Sequence, residues 1–368
     1  MDRLIEQAAL LALLWGRKTG WSVIADEVEE RGSALEVLQR GGLREPVQEE
    51  LFGPDETGEP EQLLRESRAR LQAWQAAGLR LVTLLDDDYP AHLLTIHQRP
   101  PFLFYRGQFD PDDARSVAVV GTRKPTDSGL RRARDLATGL AEQGTTVVSG
   151  LAEGIDSAGH AAALDAGGRT VAVIGTGIRR YYPAANRELQ ERIGREHLVL
   201  SQFWPDTAPT RYTFLMRNAV MSGYAAATVV VEASYRSGAR AQARLALEHG
   251  RPVFLLDTLL AHDWAQEYAL RPGAHVVHNA KEVLAVLDQI FARPAETRLE
   301  VTGRPRTVDD VAAPYANFLV RVPPAGPVSA GSAIRSSGPS GTACGAGMPS
   351  WPRQCDRRPG CVHLDGAP

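Results

Sequence analysis

Between about residues 79 and 290, short runs of Val, Ala, Ile and Leu alternate with longer amphipathic stretches. The runs fall at 116–120, 145–149, 170–174, 198–201, 227–232 and 252–256. Helical patterns fill the gaps, notably at 130–140, 155–166, 186–193 and 239–249. A run that is apolar at nearly every position, rather than at every second one, belongs to a strand covered on both faces. Regular alternation of such strands with helices predicts a doubly wound α/β domain with a mainly parallel sheet.

The flanking sequence reads differently. Residues 1–77 carry helical patterns at Leu10–Trp15, 21–30, 34–39 and 61–77, interrupted by Gly41, Gly42, Pro46, Gly53, Pro54, Gly58 and Pro60. This predicts a small all-helical segment before the α/β domain. Two further apolar runs, 81–85 and 102–105, have strand length. Residues 293–368 read as a linker and a Pro/Gly/Ser-rich tail, and 321–368 have too little apolar surface to offset ordering entropy, so a disordered tail is expected. The three cysteines, Cys344, Cys355 and Cys361, all lie there, an odd number that implies neither a disulfide framework nor a metal site. No apolar stretch approaches the ~20 residues that span a bilayer, and no cleavable leader is recognisable, so a cytoplasmic protein without a membrane role is expected. Net charge is −3, so any polyanion must bind at a local basic patch.

In an open parallel sheet, ligands bind beyond the carboxyl ends of the strands. Here those ends carry Gly121-Thr122-Arg123-Lys124, Ser149-Gly150, Gly175-Thr176-Gly177 followed by Arg179, Arg180 and Tyr181, and Ser237-Gly238-Ala239-Arg240. Glycine turns that expose amides, helix N-termini, hydroxyls and guanidinium groups are what hold phosphates. One such turn is an ordinary tight turn; four on one rim predict a phosphate-binding edge. Tyr181, Tyr182, Phe203 and Trp204 are candidates either for stacking on bases or for packing beneath the loops. Asp156 and His160, four apart, read as a helix-capping acid and a packing histidine rather than an acid–base pair. No dinucleotide fingerprint, Walker lysine motif or metal spacing occurs, so neither a cofactor nor a metal is expected.

These residues also form a family pattern. The chain resembles the bacterial DNA-processing protein A family (DprA, also called Smf) over about residues 79–290. The markers are Tyr89-Pro90, the segment 100–107, Val119-Val120-Gly121-Thr122-Arg123-Lys124, Val148-Ser149-Gly150-Leu151-Ala152-Glu153-Gly154-Ile155-Asp156, His160, Ala172-Val173-Ile174-Gly175-Thr176-Gly177, Tyr182-Pro183 with Asn186, Arg217-Asn218, and Val231-Glu232-Ala233 with Ser237-Gly238. The resemblance implies an extended Rossmann-like domain over 78–292 preceded by a SAM-like helical domain over 1–77. It implies single-stranded DNA binding without catalysis, RecA recombinase loading in the presence of single-strand-binding protein during natural transformation, and a homodimer. By position, Gly121, Thr122 and Arg123 would contact backbone phosphate, with Ser149 and Gly150 lining the adjacent pocket. Arg179 and Arg180 would cover a further phosphate with Tyr181 near a base, while Arg217 and Asn218 close the groove. The chain departs from the pattern at Gln202, Met216 and Ala239-Arg240. After residue 314 it lacks the winged-helix pattern many members carry, as a truncation or a reading-frame change would leave it.

Two other classes share this kind of sheet. A nucleoside-monophosphate phosphoribohydrolase would carry a double glycine and a trailing Glu where this chain has Ser237-Gly238-Ala239-Arg240-Ala241-Gln242. A nucleotide-sensing scaffold would bind a mononucleotide and no polymer.

Overall fold

The computed structural model describes residues 2–15, 20–40 and 59–292, all within one compact unit, Met1–Val320. The expected linker and tail, with the three cysteines, lie outside the described residues.

Helices α1 (Arg3–Leu14), α2 (Trp21–Arg31), α3 (Ala34–Gln39) and α4 (Pro60–Ala76) come first. Their ends follow local chemistry: Asp2 and Ser33 accept from the Leu4 and Glu36 amides, and Pro60 opens α4. Nine strands follow: β1 (Arg80–Thr83), β2 (Phe102–Gly107), β3 (Ser116–Val120), β4 (Thr146–Ser149), β5 (Thr170–Val173), β6 (Leu198–Ser201), β7 (Ala227–Val230), β8 (Val253–Leu256) and β9 (Ala274–Val277). The helices among them are α5 (Asp127–Glu142), α6 (Ile155–Asp165), α7 (Arg187–Glu196), α8 (Arg211–Tyr224), α9 (Gly238–Glu248), α10 (Asp263–Ala269) and α11 (Ala280–Ala292).

The strands form one sheet in the order β1-β2-β6-β5-β4-β3-β7-β8-β9. Pairing is parallel from β6 through to β9 and antiparallel for β2 on β6 and β1 on β2. Every residue of β3 to β8 is buried, as their unbroken apolar runs require. Residues of α5, α6 and α11 cover one face, and those of α8, α9, α10 and the N-terminal helices cover the other. β9 was not expected. It is a short edge strand with only Val277 buried, so it carries no continuous apolar run.

The N-terminal helices share the sheet's core. Trp204, just beyond β6, has its ring centroid 4.7 Å from Trp15, 5.9 Å from Trp21, 6.0 Å from Trp74 and 4.7 Å from Phe102. Arg99 pairs with Asp26 and Glu29 on α2, and Arg3 on α1 pairs with Asp86. Phe203 is buried and Trp204 lies in this aromatic cluster, so packing, not base stacking, accounts for both.

The chain lays β4, β5 and β6 on one side of β3, then crosses through α8 to place β7 on the other. The order therefore switches between the carboxyl ends of β3 and β7, where a crevice must open. Among the described residues, no helix is long and apolar enough to cross a membrane, and no cluster of three or more His, Cys, Asp or Glu could hold a metal ion.

Candidate nucleic-acid interface

A cavity of about 400 Å³ occupies that switch point. Its walls come from the turn after β3 (Gly121, Thr122, Arg123), from α8 (Phe214, Arg217, Asn218) and from the turn into α9 (Ser234, Arg236, Ser237, Gly238). A second cavity of about 410 Å³ adjoins it, lined by Arg123, Tyr182, Pro209, Thr210, Arg211 and Phe214. Arg123 and Phe214 border both, and the Arg123 guanidinium lies 5.0 Å over the Phe214 ring. This is cation–π geometry on the wall between the two spaces.

The turn after β3 is held from below. Glu232, just past β7, accepts from the Thr126 amide at 3.1 Å and from its hydroxyl at 2.8 Å, and its backbone oxygen accepts from the Thr122 amide at 2.7 Å. Thr126 caps α5 by accepting from Gly129 N at 3.0 Å. The positive end of α5 is thus already supplied with a carboxylate from the protein itself.

The same holds at the next turn. Asp156 is buried at the start of α6, where the nearby backbone amides of Ala152, Gly150 and Gly121 favour its charged form. Between two of those amides the chain turns through Leu151, left-handed at φ 56°, its side chain buried and its carbonyl accepting from Asn186 Nδ2 at 2.9 Å. Burial pushes the Asp156 carboxyl above its ordinary range, while the charge of Arg217 and the amides pull the other way. The amides of Gly121 and Gly150, expected to serve phosphate, thus lie near a carboxylate of the protein itself.

Arg217 is itself only 5% exposed. Its Nη1 donates to Val173 O at 3.0 Å, and a Cβ on Gly150 would lie 1.3 Å from that nitrogen, so only glycine leaves room for the guanidinium. Burial lowers the Arg217 pKa and Asp156 raises it. His160, fully buried on α6, bonds through Nδ1 to Thr170 Oγ1 at 2.7 Å. Burial, then the nearby Arg217 charge, takes it down to about 3, so it is neutral at physiological pH.

The remaining predicted residues divide between the surface and the interior. Lys124 is exposed beside Arg123. Ser237 caps α9 by accepting from Ala239 N at 3.2 Å, Gly238 is exposed, and Asn218 Nδ2 donates to Gly238 O at 3.4 Å. Ser149 faces the core, its hydroxyl donated to Val119 O at 2.6 Å. Gly175 is buried under the Phe214 ring, and Gly177 is closed off by the Trp204 and Pro205 carbonyls, so neither borders a cavity wall. Arg179 and Arg180 are exposed on a loop braced by the Gly177 and Arg179 amides, which donate to Thr207 O and Pro205 O at 2.9 and 3.0 Å. Arg179 pairs with Asp206 at 3.1 Å and Arg180 Nε donates to the Asp206 carbonyl at 3.1 Å. Tyr181 is half-buried, with the Arg187 guanidinium 4.8 Å over its ring. Arg240 is stacked on Tyr235 rather than turned to the cavity.

Among the charged and aromatic cavity residues, Arg211, Phe214 and Arg236 escaped the sequence reading of the strand ends, whereas Tyr182, a stacking candidate, lines the second cavity. The first two had a signal. Arg211, Phe214 and Asn218 recur at helical spacing and share the face of α8 that meets the strand ends.

Residues 80–288 match the sequence profile of DNA recombination-mediator protein A. The DNA processing protein DprA of Streptococcus pneumoniae is 40% identical over 205 residues, 55% of this chain and 72% of that protein. The X-ray structure of DprA from S. pneumoniae superposes with a TM-score of 0.60 at 31% identity, covering 76% of this chain and 97% of that one. DprA from Helicobacter pylori, whose structure was described for its single-stranded DNA binding mode, superposes with a TM-score of 0.51 at 28% identity, over 57% of this chain and 97% of that one. The matched span includes the switch-point crevice with the turns that frame it, and the chain belongs to the DNA recombination-mediator protein A family.

Proposed function

We propose that this chain is a recombination mediator that grips single-stranded DNA without regard to base order at the two cavities. The observation that carries the reading is the set of exposed cations, Arg123, Arg211 and Arg236, bordering adjoining spaces that share an aromatic wall at Phe214. Guanidinium groups pair with phosphates bidentately, and flat rings accept any base. The ion pair of Arg179 is exposed and weak, so that side chain exchanges Asp206 for a phosphate at little cost. Lys124, Arg180, Ser237 and Gly238 extend the same rim, with Asn218 behind it. The strand-binding mode described for the H. pylori relative supports this reading. The mediator role carries with it RecA loading, work alongside single-strand-binding protein, a homodimer, and the cytoplasm. It also carries an organisation into a helical segment (1–77) and a strand-binding domain (78–292).

The cavity is a binding site rather than a catalytic one. The carboxylate that lines it, Asp156, is buried near three amides that favour its charge, and the histidine nearest it in sequence is buried and neutral. The test is fluorescence anisotropy with labelled oligo-dT of increasing length. Affinity is expected to rise with length and to fall steeply with salt. Arg123→Ala is expected to cost about 1–3 kcal/mol and to lower the log–log salt slope by about one. Affinity independent of length, or adenine released from AMP, would overturn the reading in favour of a nucleotide sensor or a phosphoribohydrolase.

A further inference from the structure

Tyr235 lies in the chain between Ser234 and Arg236, both of which line the first cavity, and is 65% exposed. Its ring is nonetheless held in place. The Arg240 guanidinium lies 4.1 Å from the ring centroid, and Arg240 Nη1 donates to Tyr235 O at 3.3 Å. Arg240 is fixed in turn: it lies 5.6 Å from the ring of buried Tyr268, which also carries the Arg271 guanidinium at 4.2 Å. Arg240 Nε is buried with no hydrogen-bond partner. The charge of Arg240 is therefore committed to aromatic rings, while an ordered tyrosine beside a cationic cavity keeps most of its area in water.

We propose that Tyr235 is a base-stacking platform for single-stranded DNA, taking the nucleotide that leaves the cavity over the start of α9, with Arg240 as its positioning residue. The proposal rests on the strand-binding reading above. A ring already locked by its stack loses little side-chain freedom when a base arrives, so stacking is worth more than on a free tyrosine. Arg236, next in sequence, is placed to meet the adjoining phosphate.

The experiment uses the full chain, oligo-dT anisotropy over a salt series, and a set of oligonucleotides with one abasic position moved along the strand. Tyr235→Ala is expected to weaken binding about 5- to 150-fold with the salt slope unchanged, since no phosphate contact is lost. Tyr235→Phe should bind like the parent. At one position the abasic site should cost the parent a similar factor and cost Tyr235→Ala nothing. Arg240→Gln should weaken the parent without altering its salt slope, and should have no effect on Tyr235→Ala. Equal affinities of the parent and Tyr235→Ala, an abasic penalty that persists in that variant, or a salt slope lowered by about one in Arg240→Gln would each overturn the platform. A parent that fails to bind oligo-dT would instead refute the strand-binding reading itself.

Discussion

At the scale of single residues, the crevice holds two buried opposite charges in its wall, Asp156 and Arg217, each 5% exposed. Asp156 and Arg217 each resist burial, and each lowers the cost of burying the other. Arg217→Met removes one partner and leaves a carboxylate in the interior. We expect a loss of about 3–5 kcal/mol near neutral pH, read as the urea midpoint. The sign of its pH dependence follows. Burial already holds the Asp156 carboxyl above its unfolded value, and without Arg217 it rises further. Ionisation then works against folding, so stability falls as pH rises through that window and part of the loss returns on acidification. A deficit independent of pH would show that Asp156 is not the group left stranded. Asp156, read from the sequence as a helix cap, instead lies inside the first turn of α6, whose N-cap is Gly154 with no side-chain cap. Nothing in the sequence shows which amides lie near the carboxylate. That depends on Leu151 taking a left-handed backbone, which no local propensity announces.

At the scale of elements, Trp204 links the N-terminal helices to the loop that carries Arg179 and Arg180. Its ring meets Trp15, Trp21 and Trp74, while its carbonyl and that of Pro205 close over Gly177. Trp204→Ala should cost about 3–5 kcal/mol, as for large aromatic truncations. In the parent, the helical and sheet segments should unfold in one transition, with far-ultraviolet circular dichroism and tryptophan fluorescence superimposing on heating. Two separated transitions would mean that this contact is weaker than its geometry suggests. Most elements were legible from the sequence. The buried strands β3 to β8 announced themselves as apolar runs, whereas the start of α5 could be read as a cap at any of Thr126, Asp127 or Ser128, of which Thr126 takes the role. β9 did not, because an edge strand needs only one residue facing the core. Phe214 was overlooked because attention to turns after strands passes over a crossover helix that leans across them.

For the whole molecule, the histidines set the response to acid. Burial lowers His160 to about 3, and His92 and His249 to about 4. Each is neutral in the fold and charges more readily when unfolded, so their contribution to stability is complete above about pH 6.5 and is lost as pH falls below it. Urea midpoints should therefore drop between pH 7.5 and pH 5, and a combined His92→Gln, His249→Gln variant should show a shallower drop. A flat profile in the parent would contradict the burial of these rings. At this scale the sheet and its switch point could be foreseen from the chain, because the alternation dictates them. Which groups remain free to meet a ligand could not, because that depends on contacts between residues far apart in sequence, such as Thr126 with Glu232.

The two carboxylates seated under the strand ends bear on how a polymer is let go. A phosphate caged by backbone amides leaves only when that rigid cage relaxes. Here Glu232 and Asp156 lie against those amides, so on the proposed strand-binding reading the grip would fall to arginines on long stems. Such stems would let a bound strand shift from one phosphate to the next and be surrendered a nucleotide at a time, without a rigid cage having to relax.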